Sequence, residues 1–211
     1  MTKKKIEIAQ MLNILLAVSL LLLILKFGKK PTNKMEQDTT NTLEIIHQRK
    51  SVRNFTPQEV KKEQLQTLIK AAMAAPTAVN KQPWAFIAIK DRDILDRLGE
   101  KLPYAKMLKK VNAAIVVCGD LNKTLEDWEQ EFWIQDCSAA SQNILLAAEA
   151  IGLGAVWTAA YPAKDRMQTV SEILGLPESI IPLNVIPVGY PKGVEKPKDK
   201  WKPENLHWEQ W

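Results

Sequence analysis

Short apolar segments that predict strands alternate with segments of helical pattern along most of this 211-residue chain. The predicted strands are residues 84–89, 113–118, 154–160 and 183–188. The predicted helices are residues 42–49, 57 to about 75, 91–102, 132–151 and 163–174. No internal repeat is visible. The alternation predicts one domain of the α/β or α+β class, which a chain of this length can supply with a sizeable core.

Two of the predicted helices carry start or stop signals. Thr56 and Glu59 have the spacing of a capping box, and Pro57 would occupy the first helical position. Gly175 directly follows the helix that begins near Ala163, where a glycine commonly ends a helix. These signals predict a helix start at Thr56 and a helix end at Gly175.

An apolar run near the N-terminus separates a leader from the rest of the chain. Residues 6–27 would form a helix of about 33 Å, which is long enough to span a bilayer. No small-residue cleavage site and no lipid-accepting cysteine follow it, which favours an uncleaved anchor in residues 1–27 over a cleaved signal or a buried helix. Residues 28–41 are polar and are interpreted as a flexible linker to a domain of residues 42–211.

The charge distribution argues against a nucleic-acid partner. The net charge is +5, but residues 1–34 hold seven lysines and one acid, whereas the remainder holds 22 basic and 23 acidic residues. The basic excess therefore flanks the apolar run, as in membrane proteins. Lysines stand on both sides of this run, so charge alone leaves its orientation open. Cys118 and Cys137 have no metal-site or CxxC spacing and are interpreted as small buried side chains.

Familiar catalytic motifs are absent from the sequence. There is no GxGxxG, no GxxxxGK[ST], and no metal-like cluster around His47 or His207. The chain thus offers no evident nucleophile, metal site or acid–base pair. If it is an enzyme, a bound cofactor is expected to carry the chemistry.

Four segments offer the groups that a phosphorylated cofactor needs. RKSVRNF (49–55) brings two guanidinium groups and a hydroxyl, which suit a phosphate, although a solvated helix end could look the same. PTAVNKQPW (76–84) carries a hydroxyl and two amides between prolines that favour an extended chain. GLGAVWT (152–158) reads as a turn and a strand. Near the C-terminus, KPKDKWKP places Lys198 and Lys200 on one side of an extended chain.

In this order, and with AASQNILLAAEAIGLGAVW and IPVGYPKG between them, the segments resemble the nitroreductase family of FMN-dependent oxidoreductases. The resemblance covers residues 42–211. It implies an α+β, three-layer fold with a central mixed sheet flanked by helices. It also implies a homodimer with two FMN sites at the interface and an exchanged C-terminal arm.

The resemblance also assigns roles to residues. Arg49, Lys50, Ser51, Val52 and Arg53 would hold the FMN phosphate and ribityl chain, together with Lys198 and Lys200. Pro76, Thr77, Asn80 and Gln82 would lie beside the flavin. Trp157, Thr158 and Ala159 would pass backbone groups along the isoalloxazine. Trp128, Phe132 and Trp133 would form a substrate lid, with core packing as the alternative for Phe132 and Trp133.

Three positions depart from the family pattern. Lys50 and Lys200 stand where arginine is frequent, and Thr77 replaces a serine while keeping the hydroxyl. Lysine neutralises a phosphate but lacks the bidentate geometry of arginine, so FMN affinity could be lower. The N-terminal span is not part of the family pattern.

The implied chemistry is a ping-pong reaction that moves hydride from NAD(P)H through FMN to a nitroaromatic, a quinone or a similar acceptor. No metal or catalytic side chain is required. A supply of NAD(P)H favours a cytoplasmic domain. The alanine-rich helix from Phe132 and the tail tryptophans Trp201, Trp208 and Trp211 are expected at the dimer interface, and packing of the tail on its own subunit is the alternative. A second hypothesis is a membrane-tethered flavin-binding protein without turnover, because the same motifs serve binding alone.

Overall fold

The computed structural model describes residues 18–19 and 34–211, with side chains in the second range from residue 41 onward. The chain divides into two compact units, residues 1–44 and 45–211. Apart from Val18 and Ser19, the predicted membrane span lies outside the described residues, as does the linker up to residue 33. Within the described residues, no helix is both long and apolar enough to cross a bilayer.

The first helix, α1, begins earlier than the sequence predicted. It runs from Lys34–Gln48 and thus includes residues 34–41, which were interpreted as a flexible linker. That interpretation is wrong for these residues. No proline or glycine stands between Pro31 and the predicted helix at residues 42–49, so nothing in the sequence ends the helix on its N-terminal side.

The larger unit is built on a five-stranded sheet. The strands are β1 (Trp84–Ile89), β2 (Ala113–Asp120), β3 (Gly154–Ala155), β4 (Thr158–Ala159) and β5 (Ile180–Gly189). They follow the order β1-β2-β5-β3, and β4 also pairs with β5. All of these pairings are antiparallel. A parallel bridge between Ser51 and Ala155 adds the mixed element of the sheet.

Helices cover both faces of the sheet. They are α2 (Lys62–Ala72), α3 (Arg92–Lys101), α4 (Phe132–Ala150) and α5 (Lys164–Leu174). In β2, Ile115 and Val117 join the core on the side of α2 and α4, while Ala114 and Val116 join the core on the side of α3 and α5. Because a strand alternates its side chains between faces, an entirely apolar β2 serves two cores. The predicted α+β, three-layer class is confirmed.

The helix start predicted at Thr56 is wrong. Helix α2 begins at Lys62, and Gln64 accepts a hydrogen bond from the Lys61 N–H at 3.0 Å. The Asn112 side chain, 55 residues from Pro57 in sequence, donates to the Pro57 and Gln58 carbonyls at 2.7 and 3.3 Å. The Asn112 amide therefore binds the carbonyls that a helix starting at Thr56 would use for its own hydrogen bonds. This tertiary contact overrides the local capping signal.

Helix α4 is a core helix of its own subunit. Its small residues Cys137, Ala140, Ser141 and Ala148 are buried against the sheet and α2. The expected close packing of this helix therefore occurs largely within one subunit. The predicted strand 154–160 is divided into β3 and β4, and Gly175 ends α5 with a φ of 64°, as expected.

The two cysteines are buried and free, as predicted. The Cys137 thiol donates to the Cys118 carbonyl at 3.4 Å. Burial raises the pKa of the Cys118 thiol to about 12 and also raises the pKa of Cys137. Both thiols are therefore neutral at physiological pH.

Candidate functional site

A cavity of about 1010 Å³ lies between the end of α1 and the C-terminal tail. Two segments far apart in sequence line it, residues 46–53 and residues 195–201. The predicted phosphate-binding residues among them are Arg49, Lys50, Ser51, Arg53, Lys198 and Lys200. The structure thus brings together the first and last of the four predicted segments.

Backbone pairing explains why these segments meet. Ser51 bridges Ala155 of β3, and the Val52 N–H donates to the Ala155 carbonyl at 3.0 Å. A few residues later, the Thr56 N–H donates to the Tyr190 carbonyl at 2.8 Å, and Phe55 bridges Pro191. Residues 190–192, which directly follow β5, therefore pair with residues 54–56. This pairing brings Arg53 and the tail that contains Lys198 to the same side of the sheet.

The side chains of residues 49–53 differ in their access to the cavity. Arg49, Lys50, Ser51 and Arg53 line it, whereas Val52 is 1% exposed and packs against Gly154. Val52 is therefore a core side chain between neighbours that line the cavity. RKSVRNF begins directly after α1, which ends at Gln48, so its position agrees with both interpretations of its charge, a solvated helix end and a phosphate site. Val52 does not line the cavity, and its backbone N–H is already bound to Ala155.

Lys50 differs from its neighbours because its ammonium is already paired. Its Nζ lies 2.6 Å from the Glu149 carboxylate at the end of α4, and the two side chains are 23% and 18% exposed. This ion pair joins the cavity wall to the core helix. In this structure Lys50 is therefore a link between elements and not a free phosphate ligand.

The other cations of the cavity are unpaired. Within the described part of the chain, the side chains of Arg49, Arg53, Lys198 and Lys200 make no hydrogen bond or ion pair. The Glu195 Oε2 atom is buried and also lacks a partner among these residues. Since buried polar atoms normally find partners, the cavity suits a ligand that combines an anionic group with hydroxyl or N–H donors.

The second predicted segment, residues 76–82, lies outside the lining of this cavity. It is not extended as predicted, because Ala78–Asn80 form a 3₁₀ turn. Val79, Asn80 and Gln82 have positive φ values of 44°, 58° and 51°. The Thr77 hydroxyl accepts from the Gln82 N–H at 3.1 Å, and the Gln82 amide donates to Asn80 Oδ1 at 3.0 Å. Side-chain bonds thus close the turn that the prolines were expected to hold open.

The third segment is part of the sheet, where Thr158 and Ala159 pair with β5. Thr158 is buried, and its hydroxyl donates to the Val185 carbonyl at 2.5 Å, so this side chain is already engaged. Trp157 is half-buried and Ala159 is exposed. None of the three lines the cavity.

The predicted lid residues separate into two groups. Trp128 is 76% exposed and contacts Phe132 edge-on, with ring centroids 5.8 Å apart. Trp133 is only 5% exposed, covers Gly119 and meets the Tyr161 ring edge-on at 5.1 Å. The lid assignment is therefore wrong for Trp133, which is a core residue, and remains a prediction for Trp128 and Phe132.

Several residues at these sites were missed by sequence reasoning. His47 lines the cavity, and its place two residues before Arg49 was the available signal. Glu149 and Asp136 carried no local signal, because their partners Lys50 and Ala78 are 99 and 58 residues away. Among the described residues, no cluster of side chains could hold a metal ion.

Fold and cavity together define an α+β protein with a cation-lined cavity beside an antiparallel sheet, and such a cavity suits an anionic ligand. The profile of the Nitroreductase family matches residues 46–133 and 99–190. The chain is 41% identical over 172 residues to a protein of Archaeoglobus fulgidus whose name proposes NADH dehydrogenase/NAD(P)H nitroreductase activity, covering 80% of this chain and 98% of that one.

Solved structures agree with this match. A crystal structure from Parabacteroides distasonis, whose name proposes the same activity, is 52% identical with a TM-score of 0.77, covering 81% of this chain and 98% of that chain. A protein of Desulfovibrio desulfuricans, named for a proposed nitroreductase and solved in complex with FMN, is 27% identical with a TM-score of 0.68, covering 81% and 97%. The chain belongs to the nitroreductase family.

Proposed function

We propose that the protein is an FMN-dependent NAD(P)H oxidoreductase that passes reducing equivalents to an electron-poor acceptor such as a nitroaromatic or a quinone. The observation that carries this proposal is the cluster of cations in the cavity between residues 46–53 and 195–201, of which Arg49, Arg53, Lys198 and Lys200 have no side-chain partner in the described part of the chain. Membership of the nitroreductase family supports the same cofactor and the same class of reaction.

The residues present fit FMN. Its phosphate needs charged donors, and Arg49, Arg53, Lys198 and Lys200 offer them with the Ser51 hydroxyl. Its ribityl hydroxyls need acceptors, and the unpartnered Glu195 Oε2 is one. The segment 76–82 supplies Thr77, Asn80 and Gln82 for the flavin ring. Because this segment does not line the cavity of its own subunit, part of each site is expected to come from a partner subunit.

Bound FMN would supply the redox chemistry, taking hydride from NAD(P)H and passing electrons to the acceptor in the proposed ping-pong sequence. The protein binds the phosphate, orients the ring and excludes water. Trp128 and Phe132 are exposed or half-exposed aromatics that can stack on a flat acceptor. Because the cofactor would carry the redox chemistry, the reaction needs no catalytic acid or base from the protein.

The protein is proposed to act as a homodimer. Trp201, Trp208 and Trp211 are 69%, 77% and 101% exposed in the single chain. Tryptophans are enriched at interfaces and rarely left in solvent. The high exposure of these three side chains in the single chain supports assigning the arm to the partner subunit.

We also propose that residues 6–27 anchor the enzyme in a membrane, with the catalytic domain on the cytoplasmic side where NAD(P)H is supplied. The apolar run and its flanking lysines support this assignment. A chain that lacks residues 1–34 should leave the membrane fraction and remain yellow. A truncated chain that still sediments with membranes would contradict the anchor.

The full chain, purified in detergent, tests the function. We expect a visible flavin spectrum, release of FMN on heating, loss of the flavin colour when NADPH is added without air, and steady turnover with menadione. Parallel double-reciprocal plots would support the ping-pong order. Bound FMN that NADPH never reduces would instead establish a flavin-binding protein without turnover. A folded protein that binds no FMN would refute the proposal.

A further inference from the structure

Asp136 is a buried carboxyl group that the proposed chemistry does not use. It lies in the second turn of α4 and is 6% exposed, between the buried residues Trp133 and Cys137 and near Ala140. Burial raises its pKa above the ordinary value. A carboxyl group in such a place costs stability unless it has partners, so its contacts indicate what it does.

The partner of Asp136 belongs to the segment predicted to contact flavin. The Ala78 N–H donates to Asp136 Oδ1 at 3.0 Å. Ala78 follows Thr77 directly and begins the 3₁₀ turn that places Asn80. The bond therefore ties the start of this turn to the core helix.

The turn itself is strained and poorly packed. Val79 is β-branched, has a φ of 44° and is 78% exposed, so no core contact holds it in that conformation. Asn80 and Gln82 also have positive φ values. Such a turn persists only where other contacts hold it. Its own Thr77 and Gln82 bonds close the loop internally, and the Asp136 bond connects it to α4.

We propose that Asp136 is a positioning residue, which holds the turn of residues 77–82 in the conformation that binds flavin. This inference rests on the proposed function. Helix α4 is suited to the task because it is buried along the sheet and α2. The carboxylate thereby converts a strained exposed turn into a preorganised wall of the cofactor site.

Both sides of the bond can be removed in the full-length protein. Asp136→Leu removes the acceptor, and Ala78→Pro removes the donor at the first position of a 3₁₀ turn, where proline is tolerated. Each variant should weaken FMN binding to the apoprotein about tenfold, measured by flavin fluorescence. The double variant should be little worse than either single one, because both remove the same bond.

Two further variants separate positioning from stability. Asp136→Asn keeps an oxygen acceptor and should restore FMN affinity to within about threefold of the parent protein. Ser141→Ala is the matched control, because Ser141 is buried on the same helix and bonds Cys137 and Asn184 at 2.8 Å without touching the turn. It should lower the unfolding free energy and leave FMN affinity unchanged.

The outcomes distinguish this inference from the proposed function. A parent protein that binds no FMN refutes the function itself. If the parent binds FMN and Asp136→Leu binds it as tightly as Ser141→Ala does, the positioning role is overturned and the proposed function is not. If Asp136→Leu does not fold, Ala78→Pro decides, and unchanged FMN affinity in that variant overturns the role. Failure of Asp136→Asn to restore affinity also counts against the bond.

Discussion

Arg49 and Lys50 are adjacent in sequence but face different partners, and their substitution should have different effects. Arg49 lines the cavity and has no side-chain partner among the described residues, whereas the Lys50 ammonium lies 2.6 Å from the Glu149 carboxylate. Arg49→Ala should weaken FMN binding by about 10- to 150-fold, which corresponds to the loss of charged hydrogen bonds worth about 1.5–3 kcal/mol. Lys50→Ala should weaken binding less and mainly lower the unfolding free energy. Titration of the apoprotein and urea unfolding measure the two effects.

The ion pair provides its own control. Lys50→Ala leaves the partly buried Glu149 carboxylate unpaired, so adding Glu149→Ala should recover part of the lost stability. Adding Glu149→Ala to Arg49→Ala should recover no stability, because Arg49 does not pair with Glu149. If Lys50→Ala weakens FMN binding as strongly as Arg49→Ala, then Lys50 exchanges Glu149 for the phosphate when the cofactor binds.

Asp136 gives stability a pH dependence of defined sign. Burial raises its folded pKa above the ordinary value of 3.8, and the Ala78 N–H opposes this rise only in part. The folded protein then holds a proton that the unfolded chain has released. Stability therefore falls as pH rises from about 4 through the folded pKa, and the loss is complete above it. Asn does not titrate, so the stability of Asp136→Asn relative to the parent should increase over this window.

Urea unfolding of both proteins at a series of pH values from 3.5 to 7 checks this sign. The nearby Cys137 thiol is neutral throughout, since its pKa is raised, and does not disturb the comparison. If the stability of Asp136→Asn relative to the parent decreases as pH rises, the pKa of Asp136 in the folded protein is lowered instead. In that case the hydrogen bond from Ala78 would outweigh the burial of the carboxyl group.

At the scale of elements, the short strand β3 positions the proposed phosphate-binding segment through its pairing with residues 51–52. A methyl group on Gly154 would lie 2.7 Å from the Val52 side chain, so Gly154→Ala must displace residues 51–53 from β3. We expect a loss of about 1–3 kcal/mol of stability, together with weaker FMN binding. Gly99→Ala is the control, because its methyl group would meet Lys109 and Leu108 at 3.0–3.1 Å, away from the cavity. Equal FMN affinities in the two variants would contradict this role of β3.

Elements that rest on local periodicity could be predicted from the sequence, and those that rest on distant contacts could not. Helices α3 and α4 and strand β1 lie where the hydrophobic periodicity predicted them. The apolar faces of the two helices pack on the sheet, to which β1 belongs. The start of α2 was wrong because the Asn112 amide binds the carbonyls of Pro57 and Gln58. The turn at Ala78–Asn80 was missed because its positive φ values occur at Val79, Asn80 and Gln82, none of which is a glycine.

The same division applies to the candidate site. Arg49, Ser51 and Arg53 were predicted as a group from their charges and hydroxyl, whereas the course of this segment beside β3 depends on its pairing with Ala155. Their meeting with Lys198 and Lys200 came from the family resemblance and was realised by the pairing of residues 54–56 with residues 190–192. The Lys50–Glu149 and Asp136–Ala78 contacts depend on how α4 packs, which no local pattern encodes.

At the scale of the whole molecule, we expect the C-terminal tail to decide whether the proposed cofactor site is complete. Its exposed tryptophans and Leu206, which is 46% exposed, have no core in one subunit. His207 stacks on Trp211 with ring centroids 4.2 Å apart, so the end of the tail has local structure. If the partner subunit covers this apolar surface, removing residues 201–211 should weaken the dimer while leaving Lys198 and Lys200 in place.

Sedimentation of the full-length and shortened proteins in the same detergent tests this expectation over a range of concentrations. The shortened protein should dissociate at concentrations where the parent is dimeric, and it should lose FMN on dilution because the partner's part of the site departs. Replacing Trp208 and Trp211 by serine is the matched variant that keeps chain length. A shortened protein that remains a dimer with unchanged FMN affinity would show that the arm does not hold the subunits together.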